Sequence, residues 1–469
     1  MNKKTDTPRT PDELASPKGM RDLIGDDLYA LQGFFEKAAE VAVYYGFKPI
    51  ETPIMEREEV FTSGVGEETD IVQKEMYSVK TKGNTALVMR PEGTAGIMRA
   101  YLEHGMHTLP QPVQLYYHGP FFRHERPQRG RWRQLYQFGL ESFGSEKSIA
   151  DALIIKMMVI ILTEAGIANA YVKINSIGDK DCRPAYIRAL TAYYKKHLGD
   201  VCADCRQRIK TNPLRLLDCK NEVCIPIKRN APEMVSYLCE PCKKHFKEVL
   251  EYLDTSKTPY VIDHTLVRGL DYYTRTVFEF FSEPDPAEER AMTKEPDPAM
   301  ASSAEKEPAT PPKEKGKEPS SEVSVHAISL GGGGRYDGLA RQLGSRRDTP
   351  SVGAALGADR IMTHPAFTAH PPRIIKKPKI YFIQIGFDAK QKSFDVIEIL
   401  RKAKIPVHHS LSKDKLSVQL AIAQKMEIPY TIILGQKEVI DGTIIVRDMH
   451  SHSQATVPID KLAEYLKKK

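Results

Sequence analysis

The spacing of apolar residues changes near Lys379, and this change limits the folds open to the chain. From Met76 to Phe143, short apolar runs alternate with glycine, proline and clusters of charge. Such runs are typical of strands in an antiparallel sheet, here interrupted by a helix expected at 94–104. After Lys379, runs such as KIYFIQIG and PYTIILG alternate with segments of helix length. The sequence therefore predicts an α+β domain with an antiparallel sheet flanked by helices, followed by an α/β domain with a mixed sheet.

The length of 469 residues exceeds the ~100 to 200 residues of a typical domain, so more than one folded unit is expected. We predict a polar N-terminal segment at 1–18, a first domain at 19–370 and a C-terminal domain at 376–469. Two insertions interrupt the first domain, a cysteine-bearing segment at 170–255 and a disordered one at 283–325. The second is rich in Pro, Glu, Lys, Ser and Ala, and has too few large apolar residues to offset its ordering entropy.

The composition is that of an ordinary globular protein. Hydrophobic residues make up 41% and charged residues 28% of the sequence. No apolar run approaches the ~20 residues that a membrane-spanning helix needs. Residues 1–18 contain neither the apolar core of a secretory signal nor an Arg-rich amphipathic helix for organelle import. We therefore expect a cytoplasmic protein with no membrane partner.

The positive charge is concentrated in the C-terminal domain. From Lys376 to Lys469 there are 17 Lys and Arg against 10 Asp and Glu, which accounts for the whole formal net charge of +7. A basic module on a neutral body suggests a polyanionic partner, because neutralising phosphates releases counterions. Charge alone favours the simpler alternative, a lysine-rich surface that maintains solubility.

Five arginines surround a turn between two strand-like runs in the segment 119–141. They are Arg123, Arg126, Arg129, Arg131 and Arg133. A guanidinium group is a planar, permanently charged fork that suits phosphate oxygens. The cluster fits a nucleotide or nucleic-acid site, although by composition alone a solvated basic loop is the more frequent explanation.

The wider context favours the phosphate site. The run FRHERPQRGRWRQLYQFGLE resembles motif 2 of class II aminoacyl-tRNA synthetases in its histidine-specific form. The runs at 266–280 and 332–339, LVRGLDYYTRTVFEF and GGGRYDGL, resemble the two peptides that distinguish histidyl enzymes. RPEGTAG resembles the family's amino acid loop, VGAALGADR resembles motif 3, and the helix before ETPI resembles the dimer-forming motif 1. These motifs occur in family order, so the chain resembles histidyl-tRNA synthetases over nearly all of 17–469 apart from the disordered insertion.

The resemblance implies a histidine–tRNA ligase that uses ATP and Mg²⁺. The carboxylate of L-histidine attacks the α-phosphate of ATP, giving histidyl-adenylate and pyrophosphate, and histidine then passes to the 3′ end of tRNA(His). Because no side chain needs to bond to the substrate, catalysis is expected to rest on positioning and on cations that face the developing charge. The implied catalytic residues are Arg123 and Arg268 at the α-phosphate, and Arg360 at the γ-phosphate and adenine.

The resemblance also implies the residues that line the two substrate sites. Glu125 is expected to accept a hydrogen bond from the adenine amine and Phe138 to stack on the ring, beside the three arginines of the ATP site. Glu141 and Tyr273 are expected to meet the two ring nitrogens of histidine. The implied histidine site comprises Glu92, Gly93, Thr94, Arg123, Gln137, Glu141, Arg268, Tyr272 and Tyr273. For the two tyrosines, ordinary packing of strand aromatics in the core is the alternative.

Contacts with tRNA are implied at two places. The turn of motif 2 is expected to contact the acceptor end through Gln128, Arg129 and Arg131. The C-terminal domain resembles the anticodon-binding module shared by several class II enzymes, and its positive charge agrees with that role. The family also implies a homodimer.

Two positions in the later motifs stand apart. Asp359 occupies the place before the motif 3 arginine where the family commonly has Glu, so the carboxylate is kept and only its reach changes. The four glycines before Arg335 suggest a close approach of the backbone to the ligand, with a flexible hinge as the alternative. Arg335 itself is expected to support the site.

All seven cysteines fall between Cys182 and Cys242. Two CxxC pairs in a cytoplasmic chain suggest metal ligation or redox chemistry rather than a disulfide framework. Four thiolates in a tetrahedral array suit Zn²⁺. The two CxxC pairs give a structural zinc site as one hypothesis and free thiols as the other, because the family does not need zinc for catalysis. The ligands named for that site are Cys202, Cys205, Cys239 and Cys242.

Two other classes of protein are alternative interpretations of the sequence. A non-catalytic, histidine-sensing regulatory paralogue would share the fold, but such proteins usually lose the ATP arginines and the anticodon module. A nucleic-acid-binding protein without catalytic activity would use the basic C-terminal domain and leave the earlier motifs unexplained.

Overall fold

The computed structural model describes residues 15–67, 69–80, 82, 83, 85–126, 130–282, 329–373, 378–410 and 413–468. The chain divides into two units, Met1–His370 and Pro371–Lys469. The insertion predicted to be disordered at 283–325 lies outside the described residues. Among the described residues, no helix has both the length and the apolar character needed to cross a membrane.

A central eight-stranded sheet and a smaller three-stranded sheet form the first unit. Their strands are β1 (Lys48–Pro49), β2 (Met55–Arg57), β3 (Tyr77–Val79), β4 (Leu87–Met89), β5 (Val113–Phe122), β6 (Gln134–Phe143), β7 (Ala170–Ser176), β8 (Tyr260–Ile262), β9 (Thr274–Ser282), β10 (Ser329–Arg335) and β11 (Ser351–Gly357). The large sheet has the order β1-β5-β6-β11-β10-β9-β7-β8, and the small one β2-β4-β3. Among the described residues, only the two edge strands of the large sheet pair in parallel, which confirms the predicted, mainly antiparallel sheet.

Helices flank this sheet as the sequence predicted. They are α1 (Asp26–Tyr44), α2 (Glu58–Val65), α3 (Thr94–Glu103), α4 (Ser148–Glu164), α5 (Arg183–Lys196), α6 (Ala203–Thr211), α7 (Ile225–Arg229), α8 (Glu240–Thr255), α9 (Leu339–Gln342) and α10 (Ala358–Met362). In α1 the apolar residues Leu31, Phe34, Phe35 and Ala38 recur at helical spacing and are buried. Helix α4 is apolar around most of its surface, because it packs between α1, α8 and the sheet.

The two faces of the sheet carry separate cores, since side chains of a strand alternate between faces. On β6, Phe138 and Leu140 belong to the core that contains α1 and α4. Leu135 and Phe143 point to the opposite face, where α2 and α3 pack. That second face holds the cleft described below.

A buried ionic group centred on Arg335 joins β10 to α4 and α8. The Arg335 side chain is fully buried, pairs with Asp151, and donates hydrogen bonds to the Ser145 carbonyl at 2.8 Å and to Asp337 at 3.1 Å. The ring of His245 lies 3.3 Å from Asp151. Burial by itself would raise the pKa of Asp151, but Arg335 and His245 outweigh it and lower that pKa to about 2.

The cysteine-bearing segment between β7 and β8 contains α5, α6, α7 and α8 and has a core of its own. Tyr186, Tyr194 and Leu216 are buried there together with several cysteines. Most of the cysteines are themselves members of this core, and the others pack against it.

The second unit is a five-stranded sheet with helices on both faces. Its strands are β12 (Ile380–Gln384), β13 (Val407–His409), β14 (Tyr430–Leu434), β15 (Thr443–Asp448) and β16 (Gln454–Pro458), in the order β13-β12-β14-β15-β16. Its helices are α11 (Phe387–Lys402), α12 (Leu416–Lys425), α13 (Gln436–Asp441) and α14 (Leu462–Lys467). Strand β12 pairs in parallel with β13 and β14, whereas β15 and β16 pair antiparallel, so the predicted mixed sheet is confirmed.

Candidate active site

A cleft opens on the face of the large sheet that carries α3. Its walls come from the start of α3, from β5, β6, β9, β10 and β11, and from the loop before β9. Most of the predicted site residues meet there, although they come from four separate stretches of sequence. The predicted residues that line the cleft are Glu92, Gly93, Thr94, Arg123, Glu125, Arg131, Gln137, Arg268, Tyr272, Tyr273 and Arg360.

Three arginines face one part of this cleft. Arg123 follows β5 and is oriented by a hydrogen bond from its Nε to the Pro91 carbonyl, at 2.8 Å. Arg360, in α10, donates to the Ser329 carbonyl at 2.6 Å. Burial and the neighbouring positive charge of Arg131 lower the pKa of Arg360. Such a concentration of cations with unused donors suits a polyphosphate.

Arg268 completes this group from the loop before β9. Its Nη1 lies 3.5 Å from Glu279 Oε2, and its buried Nε has no hydrogen-bond partner within the described residues. The guanidinium lies directly over Gly332, where an added Cβ would be 2.6 Å from Nη1. The glycine run therefore gives room to Arg268, because any side chain at 332 would displace it.

A carboxylate and two tyrosines form the other part of the cleft. Glu92 precedes α3 and accepts the backbone N–H groups of Thr94 at 2.9 Å and Ala95 at 2.8 Å. The Tyr272 hydroxyl donates to the same carboxylate at 3.2 Å, and the rings of Tyr272 and Tyr273 lie 4.6 Å apart. Burial raises the pKa of Glu92, which its two backbone hydrogen bonds partly offset. A carboxylate fixed in this way can accept hydrogen bonds from an ammonium group.

Glu141 lies beneath the cleft rather than in its lining. It is completely buried, accepts the Thr94 hydroxyl at 2.7 Å and accepts a second hydrogen bond from the Tyr336 hydroxyl. Burial raises the pKa of Glu141 to about 8, although both hydrogen bonds act in the opposite direction. Burial thus favours the protonated carboxyl group, which can donate as well as accept.

Asp359 fastens motif 3 to motif 2 at the edge of the cleft. Its carboxylate accepts the backbone N–H of Tyr136 and a hydrogen bond from Arg21, each at 2.6 Å. The guanidinium of Arg21 also lies 4.2 Å from the centre of the Trp132 ring. The Tyr136 N–H thus links β6 to Asp359 of α10, and Arg21 brings the segment before α1 to the same carboxylate.

Comparison with known proteins places the chain in a family. Residues 19–288 match the family model for histidyl-tRNA synthetase, and residues 379–469 match the model for an anticodon binding domain. The histidine–tRNA ligase of Desulforamulus reducens is 37% identical over 451 residues, which cover 96% of this chain and 98% of the relative. The chain belongs to the histidyl-tRNA synthetase family. The histidine–tRNA ligase of Dehalococcoides mccartyi (strain ATCC BAA-2266 / KCTC 15142 / 195) is similarly 38% identical over 97% of the chain and 99% of the relative.

Solved structures agree with this family membership. The crystal structure of apo histidyl-tRNA synthetase from S. aureus superposes with a TM-score of 0.73 at 28% identity, and covers 97% of this chain and 100% of that one. The histidyl-tRNA synthetase from Nostoc sp. PCC 7120 shares the fold with a TM-score of 0.60 at 19% identity, over 97% of this chain and 99% of that one. The resemblance and the predicted class II fold are thereby confirmed.

One residue predicted for the ATP site of this synthetase family member does not reach the cleft. Phe138 is completely buried in the core on the other face of the sheet, where its ring stacks with Tyr116 at 5.9 Å between centroids. The prediction that Phe138 stacks on adenine is therefore wrong. It neglected strand alternation, which turns Leu135 and Gln137 of β6 into the cleft instead.

Of the three residues predicted to contact the acceptor end of tRNA, the structure describes only one. Gln128 and Arg129 lie outside the described residues. Arg131 lines the rim of the cleft and lies 3.4 Å from Glu125.

Several lining residues were missing from the sequence prediction. Tyr117 is buried with its ring against Gly139, Trp132 lies at the rim, and Glu279 is the carboxylate beside Arg268. Tyr117 and Glu279 both occupy strand positions that face the cleft. Applying the alternation of side chains along β5 and β9 to the quoted motifs would have found them.

The cysteines do not form the single site that the sequence suggested. Cys202 and Cys205 cluster with Cys219 and Cys224, whereas Cys239 and Cys242 cluster with Cys182 and Asp179. The four predicted zinc ligands are thus divided between two clusters, and that ligand set is wrong. Spacing identifies a CxxC pair but does not show which distant residues complete it.

Proposed function

We propose that this protein is a histidine–tRNA ligase, which activates L-histidine with ATP and transfers it to the 3′ end of tRNA(His). The observation that carries the proposal is the convergence of Arg123, Arg268 and Arg360 on one part of a cleft whose other part holds Glu92 and the tyrosine pair. Relatives with the ligase name over the full length support this function rather than the regulatory paralogue.

The arginine side of the cleft binds the triphosphate in this proposal. Arg123 and Arg268 contact the α-phosphate, where negative charge develops as the carboxylate of histidine attacks. Arg360 contacts the γ-phosphate and lies against adenine, whose amine donates to Glu125. Since Phe138 faces the opposite core, Leu135 is the apolar residue of β6 that can pack against the ring.

Mg²⁺ fits the donor groups on this side. Mg²⁺ prefers oxygen ligands and is usually held by one or two carboxylates together with substrate phosphates. Glu279 is a carboxylate of the lining and would hold the ion, since Glu125 is assigned to the adenine amine. When bound, it neutralises phosphate charge that the arginines leave uncompensated.

The remaining part of the cleft selects histidine. Glu92, Thr94 and Gln137 bind the α-amino side and Tyr272 closes the pocket, while Gly93 leaves room for the ring of Tyr117 behind it. Tyr273 and Glu141 meet the imidazole nitrogens, Glu141 from beneath the cleft beside Thr94. An amino acid without an imidazole N–H would leave these buried polar groups unpaired and would be rejected.

Binding of tRNA involves both units. The motif 2 turn with Gln128, Arg129 and Arg131 contacts the acceptor end. The C-terminal domain, with bounds at 376–469, binds the anticodon with its excess of positive charge. The protein is proposed to be cytoplasmic, with its catalytic domain at 19–370 and zinc as a structural ion of the cysteine-bearing segment.

A homodimer completes the proposal. Val43, Tyr44, Ile54 and Met55 are exposed apolar side chains in the region that resembles the dimer-forming motif 1. Apolar surface of this kind is typical of a protein interface. Measuring the molecular mass in solution tests this expectation, and a monomer at working concentration would contradict it.

The test of the function is amino-acid-dependent exchange of pyrophosphate into ATP, measured with all twenty amino acids. Exchange with histidine alone is expected, because only histidine satisfies the pocket. Silence with all twenty, in protein shown to be folded, would favour the histidine-sensing paralogue instead.

A further inference from the structure

We infer that the cysteine-bearing segment holds two zinc ions, in two sites of different composition. The first, called here the thiolate site, consists of Cys202, Cys205, Cys219 and Cys224. The second, called the aspartate site, consists of Asp179, Cys182, Cys239 and Cys242. Together the two sites use every cysteine of the chain.

The thiolate site has the dimensions of tetrahedral zinc. Its four Sγ atoms all lie within 4.8 Å of one another, with 3.8 Å between Cys202 and Cys219 and 3.9 Å between Cys205 and Cys224. A tetrahedron with Zn–S bonds of ~2.3 Å has edges of roughly 3.8 Å. The backbone N–H of Cys202 also points at Cys224 Sγ, at 3.3 Å, as suits a charged thiolate acceptor.

The aspartate site has three sulfur donors and one oxygen donor. Asp179 Oδ1 lies 3.5 Å from Cys182 Sγ and 3.9 Å from Cys239 Sγ, and Oδ2 lies 3.0 Å from Cys242 Sγ. Zn–O and Zn–S bonds of ~2.1 and ~2.3 Å give tetrahedral edges of roughly 3.6 Å between oxygen and sulfur. Asp179 is the member that sequence spacing could not have found, because carboxylates are common on surfaces.

The arrangement of donors favours one metal ion in each site over disulfides or free thiols. A disulfide joins two sulfur atoms and gives no reason for two further donors to converge on the pair. A buried free cysteine behaves as a small apolar side chain and needs no other cysteines around it. Because all donors of a site lie within 4.8 Å, the space fits one ion and excludes a cluster of several irons and sulfides.

The positions of the two sites explain why this segment would need them. All seven cysteines lie in the core of this segment or pack against it, so bound metal ions would stabilise that core by linking distant parts of the chain. The thiolate site joins the start of α6 to the turn before α7. The aspartate site joins the end of β7 and the start of α5 to the start of α8, so it closes the whole segment into a loop.

The experiment is metal analysis of the full-length protein, expressed in minimal medium and purified without chelators or added metal. Two zinc ions per chain are expected. Cys205→Ser and Cys242→Ser should each lose one, and the double variant should lose both. Asp181→Asn removes an exposed carboxylate two residues from Asp179 and should retain two. Zinc below a trace in folded protein, iron in its place, or a wild-type content of one zinc that Cys242→Ser does not lower would overturn the inference.

Loading with Co²⁺ tests the ligand sets even where a serine variant unfolds. The wild-type spectrum should be the sum of a four-thiolate and a three-thiolate site, and Asp179→Asn should alter only the second component. A spectrum unchanged by Asp179→Asn would show that this carboxylate is not a ligand. Neither readout depends on ligase activity, so failure of the proposed function would leave this test intact.

Discussion

The cleft arginines and Arg335 show two opposite uses of the same side chain. Arg335 is fully buried, and its guanidinium is occupied by Asp151, Asp337 and backbone carbonyls. Arg268 has one carboxylate at 3.5 Å and a buried Nε without a partner in the described part of the chain. A charged group is available to a substrate only where the protein leaves its donors unused. The comparison therefore assigns stability to Arg335 and leaves Arg268 available to a substrate, as its proposed role in catalysis requires.

Removing the charge beside Arg335 should have the largest effect on stability. Asp151→Asn leaves Arg335 buried without its counter-ion, which we expect to lower the free energy of unfolding by about 3–5 kcal/mol. The measurement is urea denaturation at neutral pH, with the exposed Asp348→Asn as a control expected to change it by less than about 0.5 kcal/mol. A free energy of unfolding equal to that of the wild type in Asp151→Asn would contradict the stabilising role assigned to Arg335.

The same group predicts the acid sensitivity of the fold. The folded pKa of Asp151 is about 2, below its unfolded value of 3.8. Its stabilising contribution is therefore complete above the unfolded value and disappears as the pH falls toward 2. Between pH 5 and pH 2 the Asp151→Asn variant should lose less stability than the wild type.

Removing the Arg268 side chain should lower the rate of pyrophosphate exchange and leave the fold unchanged. Arg268→Ala deletes a cation at the proposed α-phosphate position, so pyrophosphate exchange should fall by about 100- to 1000-fold. Arg341→Ala, which removes an exposed arginine paired with Asp348, serves as the matched control and should exchange normally. Normal exchange by Arg268→Ala, or a melting temperature well below that of the control, would contradict its assignment to catalysis.

The buried carboxyl of Glu141 extends the comparison to an acidic side chain, in which burial favours the uncharged form. Its folded pKa of about 8 exceeds the unfolded value of 4.5, so the folded state retains the proton that the unfolded state releases. Because the unfolded chain ionises in this range and the folded chain does not, the free energy of unfolding falls as the pH rises from 4.5 to about 8. Glu141→Gln should lose less stability than the wild type between pH 5 and pH 8 in urea denaturation. Equal losses would mean that Glu141 is ionised in the fold.

The smallest expected effect links the aspartate site to the proposed histidine pocket. Arg183 donates to the carbonyls of Gly178 at 3.0 Å and Tyr273 at 2.6 Å, so it connects the loop that bears Asp179 to the segment before β9 that bears Tyr273. Cys242→Ser should raise KM for histidine roughly 3- to 10-fold in pyrophosphate exchange, whereas Cys205→Ser should leave it unchanged. Equal KM values in the two variants would show that the aspartate site does not affect histidine binding.

Much of the fold followed from local patterns in the sequence. The helix expected at 94–104 is α3 (Thr94–Glu103), and the helix expected before ETPI is α1 (Asp26–Tyr44). The change of pattern at Lys379 distinguished the antiparallel sheet from the mixed one. These features depend on neighbours along the chain, whose spacing alone decides which face of an element is apolar.

The site was predictable only as far as its motifs named individual residues. The motifs predicted that Arg123, Arg268 and Arg360 would meet, and the structure brings them to one cleft. The motifs did not show that Phe138 faces the opposite core, although strand alternation requires it once Gln137 faces the cleft.

What the sequence by itself determined is the kind of chemistry, because arginine, glutamate and cysteine carry their charges and donor atoms wherever the chain places them. Only the tertiary structure decided which of these groups meet. It buried Arg335 beside Asp151 and left a donor of Arg268 unused. It also placed the two CxxC pairs in two different clusters, and Asp179 completes the cluster of Cys239 and Cys242. The physical reason is that hydrogen bonds and metal ligation act over a few ångströms in space, and distance along the chain does not fix that separation.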